Sequence, residues 1–233
     1  MMLDKRNDGN HTGVGEPLRF RGATQCDAHA CAPLVFASGV REFSYFLGET
    51  PDRCVAFLRS AFVSGVGRFS WKRHRLAVAA DGSIHAILAV HDGRMIAFDD
   101  LHLVWMLLRF FGLLRTIRIL FRGLVLEREL PPPKRNQVLI AHCATDERVR
   151  GTGVFSALFD DAWSNGVLAA VDGQDVMLDV LVSNMRARAL YERLGFVEVP
   201  RPRSRSRRLP VDLASVRMRW IRRSQADAEQ VSE

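Results

Sequence analysis

The fold turns on Ile140-Ala-His-Cys-Ala-Thr-Asp-Glu-Arg-Val-Arg-Gly-Thr-Gly-Val-Phe-Ser-Ala-Leu158. It opens as an apolar run of strand length and ends with helical character, and Arg150-Gly-Thr-Gly153 lies between. A buried strand that passes through a glycine turn directly into a helix brings backbone N–H groups and the positive helix end to one point. Glycine lets the backbone approach an anion without a Cβ in the way, and Arg150 adds a fixed positive charge. Two glycines before a helix are, taken alone, a weak signal for phosphate.

Working outward, the apolar runs predict strands over 137–145 and 175–182, with a helix over 151–165 between them. A second helix over 184–194 carries Ala187, Leu190, Tyr191 and Leu194 on one face and stops at Gly195. Further strands are expected at 196–199 and 215–221. Strand, helix, strand and helix in this order imply neighbouring parallel strands.

Upstream, a strand is expected over 18–23 and a helix over 26–38 that starts at Thr24 and Asp27. A further helix begins at Thr50, Pro51 and Asp52, with apolar Cys54, Phe57, Leu58, Ala61 and Phe62 at helical spacing. Residues 75–80 and 84–90 flank Asp81-Gly82 and read as a hairpin with a type I′ turn. The expected class is α/β, with a mixed sheet of the α+β kind.

Residues 101–130 are very apolar, but Arg109, Arg115, Arg118 and Arg122 interrupt the run, and a membrane span needs about 20 apolar residues. One or two amphipathic helices are expected, with breaks at Gly112 and Gly123 and an end at Pro131-Pro-Pro133. Their apolar face has two coverings ahead of a membrane surface: the domain itself, or a second subunit in a homodimer.

The chain has 233 residues, 48% of them hydrophobic, which suits a folded core and excludes a disordered chain. Net charge is +7, from 30 Arg and 3 Lys against 26 acidic residues. The excess is local: residues 201–223 hold nine Arg and one Asp. Its densest part, 201–208, reads as a solvated loop, and without interleaved aromatics it makes a poor platform for bases, so no nucleic-acid partner is expected. Four cysteines with no C-x-x-C pair and no secretion signal predict reduced thiols and a cytoplasmic protein. Residues 1–16 read as a disordered leader and 224–233 as a flexible acidic tail.

Asn184-Met-Arg-Ala-Arg-Ala-Leu-Tyr191-Glu-Arg-Leu-Gly-Phe196 places an amide at a helix start and a phenol two turns later, after the next parallel strand. Together with the Arg-Gly-Thr-Gly turn it resembles the GNAT superfamily of acetyl-coenzyme A-dependent N-acetyltransferases. The resemblance implies one acetyltransferase domain over 17–223, with a helical insertion at about 96–130 between the third and fourth strands. It implies acetyl-coenzyme A as co-substrate and a primary amine, on a small molecule or peptide, as acceptor. The pyrophosphate would lie on the backbone of Arg150, Gly151, Thr152, Gly153, Val154, Phe155 and Ser156. Backbone groups of Cys143, Ala144 and Thr145 would hold the pantetheine and polarise the thioester carbonyl, and Asn184 would anchor the pantetheine arm. Tyr191 would protonate the leaving thiolate.

The family's pattern is Gln or Arg, two residues, Gly, one residue, then Gly or Ala. Arg148, Gly151 and Gly153 fit it literally; distance from the strand favours Arg150, Gly153 and Phe155, with Phe155 standing where a small residue is usual. No general base is assigned: His142 is the nearest titratable group on the strand, and its plainer reading is a packed strand histidine. Phe155 and the missing base motivate the alternative of a non-catalytic acyl-coenzyme A sensor or interaction module.

Other candidates carry less. Cys26, His29 and Cys31 do not share one helix face, and His85 and His91 lie nearly 20 Å apart along a strand, so no metal site is expected. Asp160 and Asp161 read as a solvated helix face. Cys143 as a nucleophile has no triad partners in the sequence.

Overall fold

The computed structural model describes residues 18–168, 174–200 and 209–221. The expected leader, the 201–208 run and the acidic tail lie outside the described residues. Seven strands form one sheet in the order β1-β2-β3-β4-β5-β7-β6. They are β1 (Arg19–Gly22), β2 (His74–Val78), β3 (Ile84–Asp92), β4 (Gln137–Thr145), β5 (Asp175–Leu181), β6 (Phe196–Glu198) and β7 (Ser215–Trp220). Only β4 and β5 pair in parallel; every other neighbouring pair is antiparallel. This is the mixed sheet expected.

Five helices precede β4: α1 (Ala28–Ala37), α2 (Val40–Leu47), α3 (Pro51–Phe62), α4 (Ile96–Phe111) and α5 (Leu113–Glu127). Their apolar residues form one core with Leu76, Val78 and Ile87 of the sheet. Two helices follow, α6 (Val154–Ser164) and α7 (Met185–Arg193), and build a second core with Ala77, Ala86 and Leu88. Alternate residues of β2 and β3 thus feed opposite faces, as the two-residue period of a strand requires.

In α3, Thr50 is the N-cap, Pro51 occupies the first turn, and the five apolar residues named above are all buried. The helix expected over 26–38 starts as a short 3-10 turn, Gln25–Asp27, where the Thr24 N–H donates to Asp27 Oδ2 at 2.7 Å. The β2–β3 turn is not type I′. Only Gly82 takes positive φ there, while its N–H bonds the Ala79 carbonyl and the Ala79 N–H bonds the Ser83 carbonyl. That is a type I turn closed by a left-handed glycine, a geometry that asks less of Asp81.

α2 answers to no element of the sequence reading. Gly48, at φ 62°, closes it in the left-handed conformation that glycine adopts without strain. The break at Gly112 separates α4 from α5, but Gly123 lies inside α5 and breaks nothing. A Cβ there would come within 3.0 Å of the Phe46 ring, so Gly123 serves close packing of α5 on α2. Arg115 pairs with Glu49 at 3.0 Å, and Arg122 donates to the Phe46 and Leu47 carbonyls at the end of α2. Arg122 thus ties α5 to the end of α2 while Arg115 and Arg118 stay exposed, and Phe98, Leu101, Trp105, Leu114 and Phe121 of α4 and α5 are exposed as well. Among the described residues no helix is long and apolar enough to cross a membrane.

Candidate active site

β4 and β5 are paired from Gln137 with Asp175 to Ile140 with Leu178, and no further. The cause lies on the other edge of β4. Ala89 and Ile87 of β3 pair with Ala141 and Ala144, so three steps of β4 oppose two of β3. The extra residue is His142, at φ 52° the sole non-glycine residue with positive φ among the described residues. Such a bulge bends its strand and ends the ladder. Beyond Ile140, β4 has no partner strand on its β5 side, and Cys143 borders the gap that opens there, while Ala144 and Thr145 stay in register with Ile87 and Ala86 of β3.

A cavity of about 360 Å³ occupies the gap, lined by Cys143, Asn184 and Tyr191 among others. Asn184 caps α7, its Oδ1 accepting from the Ala187 N–H at 3.1 Å, which leaves its Nδ2 hydrogens for another acceptor. Tyr191 is 8% exposed. Its phenol lies in the same cavity lining as Cys143, whose thiol donates to the Ala141 carbonyl at 3.7 Å. Burial pushes the phenol well above its usual value and the Cys143 thiol up to about 12. Both stay protonated at neutral pH, so Cys143 is not a nucleophile and Tyr191 keeps its phenol proton.

Past Thr145 the chain makes a 3-10 turn and reaches Gly151 and Gly153, at φ 87° and 86°. Gly153 caps α6, and Ala157 is the first residue to donate back, to the Gly153 carbonyl at 3.0 Å. The N–H groups of Val154, Phe155 and Ser156 thus have no carbonyl within the helix. Arg150 sits beside them, its Nε donating to the Thr145 carbonyl at 3.3 Å and its guanidinium paired with Glu147 at 3.0 Å. The Phe155 side chain is buried, its ring 6.3 Å from that of Tyr191 in an edge contact. It packs the core and braces Tyr191, leaving its own N–H uncovered. The unpaired strand edges and the free donors at the α6 start fit a long ligand that ends in an anion, as acetyl-coenzyme A is.

A second cavity, about 610 Å³, meets the first across Ile140, His142 and Asp179 and runs beneath α2, α4 and α5. Its walls are mainly apolar, with Phe43, Phe46, Phe69, Leu103 and Leu120 among them. His91 and His142 line it, and His74 of β2 stands behind His142. His74 Nδ1 contacts the Ser70 carbonyl at 2.8 Å, and His74 Nε2 contacts His142 Nδ1 at 3.0 Å. A carbonyl only accepts, so His74 carries its proton on Nδ1; His142 must then carry one on Nδ1, and its Nε2 keeps a lone pair. The His91 ring stands edge-on to His142 at 5.4 Å, and its buried Nδ1 has no partner. Burial drops His74 to about 4 and carries His91 and His142 well below the usual imidazole range. All three are neutral at pH 7.

Glu42 of α2 borders both cavities, and sequence reasoning missed it. Its Oε2 is buried and unpartnered, and burial raises its carboxyl above the ordinary value. The remaining sequence candidates stay apart from this site. Cys26 and His29 are exposed while Cys31 is buried. Asp161 is no solvated residue: it accepts from Arg75 Nε at 2.5 Å and ties α6 to β2.

A sequence profile of the acetyltransferase (GNAT) family matches residues 68–196, more than half of the chain. No curated protein sequence matches it. Among solved structures, an acetyltransferase is 20% identical with a TM-score of 0.60, over 87% of this chain and 98% of the other. An N-acetyltransferase from Staphylococcus aureus Mu50 is 14% identical with a TM-score of 0.61, over 86% and 98%. A spermidine N-acetyltransferase chimera from Vibrio cholerae is 14% identical with a TM-score of 0.53, over 89% and 96%. At these identities the likeness is one of fold.

Proposed function

The chain belongs to the GNAT acetyltransferase family, and from that premise we propose that it is an N-acetyltransferase that moves acetyl from acetyl-coenzyme A directly to a primary amine. The carrying observation is the β4–β5 gap, which opens where the two strands part beyond Ile140 and Leu178 and has Asn184 and Tyr191 in its lining. Residues 150–156 would receive the pyrophosphate on the N–H groups of the α6 start. The backbone of Cys143 to Thr145 would hold the pantetheine, and Asn184 would offer its Nδ2 hydrogens. Bound acetyl-coenzyme A supplies the thioester. Tyr191 holds its proton at the phenol oxygen for the departing sulfur, in the role of general acid.

Transfer is favoured over the sensor reading by two observations: Phe155 turns its side chain into the core, and Glu42, with a buried Oε2, borders the gap. We further assign residues 17–223 to one catalytic domain, the cytoplasm as its compartment on the strength of four free thiols, and the exposed apolar face of α4 and α5 to a homodimer contact. Light scattering behind size exclusion tests the last point: a dimer that Phe121→Glu converts to monomer supports it, and a wild-type monomer rejects it. For the activity, an amine panel followed by free-thiol release with acetyl-coenzyme A should return turnover, and silence across the panel would refute transfer.

A further inference from the structure

We propose that Glu42 takes the proton of the incoming amine, and that this acceptor is a primary amine on an apolar body, held in the 610 Å³ cavity with its ammonium against Glu42 Oε2. The inference rests on the acetyl-transfer reading and adds to it a residue and a substrate class.

Position comes first. Glu42 lines both cavities, so it stands where an acceptor in one would meet a thioester in the other. Partnership comes second. Asp99 is paired with Arg73 at 3.2 Å, Asp179 with Arg217 at 2.7 Å, and Asp100 with Arg68. Glu127 is exposed at the rim. Among the described carboxylates that line the cavity, Glu42 alone brings a buried oxygen with no partner. An unpaired buried acceptor costs stability, and an ammonium at this point would supply the missing donor. The α2 N-cap makes room for it: a Cβ on Gly39 would stand 3.3 Å from Oε2.

His142 is the rival for the proton, and burial decides against it. Loss of water makes a carboxylate hold a proton more tightly and an imidazolium hold one less tightly. For Glu42 burial outweighs the opposing effects of its own backbone N–H on the carboxyl and of Arg41, while Asp212 acts in the same direction as burial. For His142, burial and the neighbouring His74, His91 and Arg68 all resist a second proton. The His142 Nε2 lone pair can accept an N–H of the amine and orient it without taking its charge.

The walls set the substrate class. Once the ammonium is paired, the aromatic and aliphatic walls offer nothing to a second charge short of Glu127 at the exposed rim, and burying one unpaired among them is heavily unfavourable. In balance, the ammonium gives one proton to the Glu42 carboxylate, the amine nitrogen forms the C–N bond and the C–S bond breaks. Sulfur takes the Tyr191 proton, the proton shed by nitrogen after attack restores the phenol, and Glu42 releases its proton to solvent. One proton is released per turnover.

Hexylamine and 1,6-diaminohexane are matched in length and differ by one terminal charge, and calorimetry can measure their binding to the full chain without any acetyl donor. Hexylamine should bind at least about tenfold more tightly than the diamine. Glu42→Gln should weaken hexylamine binding by about tenfold and lower its turnover by about 100-fold, with acetyl-coenzyme A affinity within about twofold of wild type as the control for folding. Equal binding of the two amines overturns the substrate class, and wild-type turnover in Glu42→Gln overturns the role of Glu42. Either result leaves acetyl transfer standing. Failure of the wild-type chain to bind acetyl-coenzyme A overturns transfer itself and the proton role with it.

Discussion

The two sides of the β4–β5 gap are built by different means. On the proposed cofactor side, donors come from the backbone: the edge of β4 beyond Ile140 and the N–H groups of Val154, Phe155 and Ser156, set by two glycines at positive φ. On the acceptor side, everything of consequence is side chain, from α2, α4, α5 and three strands. Backbone donors need only the right local conformation and accept variation in the residues that carry them. A side-chain pocket changes with each residue. A protein made this way can keep one co-substrate while its acceptor is set independently.

That contrast can be broken by substitution. The largest expected effect is on chemistry at the seam: Tyr191→Phe removes the proposed general acid, so turnover should fall by about 100-fold in steady-state kinetics, with acetyl-coenzyme A affinity nearly unchanged. Equal losses in both would make Tyr191 a binding residue instead. Next is Gly153→Val, which puts a β-branched residue at φ 86°. It should weaken acetyl-coenzyme A binding by about tenfold by calorimetry while sparing hexylamine binding. Loss of both would show that the two sides are not separable.

The smallest effect is on stability, and it runs against the usual sign. Folding raises the Glu42 carboxyl, so its contribution is fully present below the unfolded value, near pH 4, and is lost as pH rises through the higher folded value. Glu42→Gln should therefore raise Tm by about 2–4 °C at pH 7, if roughly 1 kcal/mol of burial cost is relieved, and the gain should close near pH 4. A lower Tm at pH 7 would mean that Glu42 holds the fold together. In wild type, the acidic limb of kcat/KM should lie above the ordinary carboxylate range and disappear in the Gln variant, whose rate should climb with pH as free amine accumulates.

The same contrast decides what the sequence discloses. The cofactor side is contiguous and repeats familiar local physics. The strand expected at 137–145 matches β4 residue for residue, and Asn184 and Gly195 bound α7 as expected. α6 starts at Val154 rather than Gly151 because residues 151–153 are spent on the positive-φ turn. The acceptor side gives no such signal. His74, His91 and His142 come together only when three strands pair, and the bulge that turns His142 toward the gap uses a residue type that rarely takes positive φ. α2 is eight residues long, between Gly39 and Gly48, and its apolar Val40, Phe43 and Leu47 spacing is easily passed over beside α3. Glu42 lies within it, where a charged residue beside Arg41 reads as solvent-facing. Its importance comes from burial, which no local pattern contains.

Titration of the purified full chain with acetyl-coenzyme A in a calorimeter tests the central claim most directly. The account predicts saturable one-site binding that weakens in Gly153→Val and persists in Tyr191→Phe. No detectable heat at about 1 mM acetyl-coenzyme A, an affinity weaker than roughly −4 kcal/mol, would contradict it.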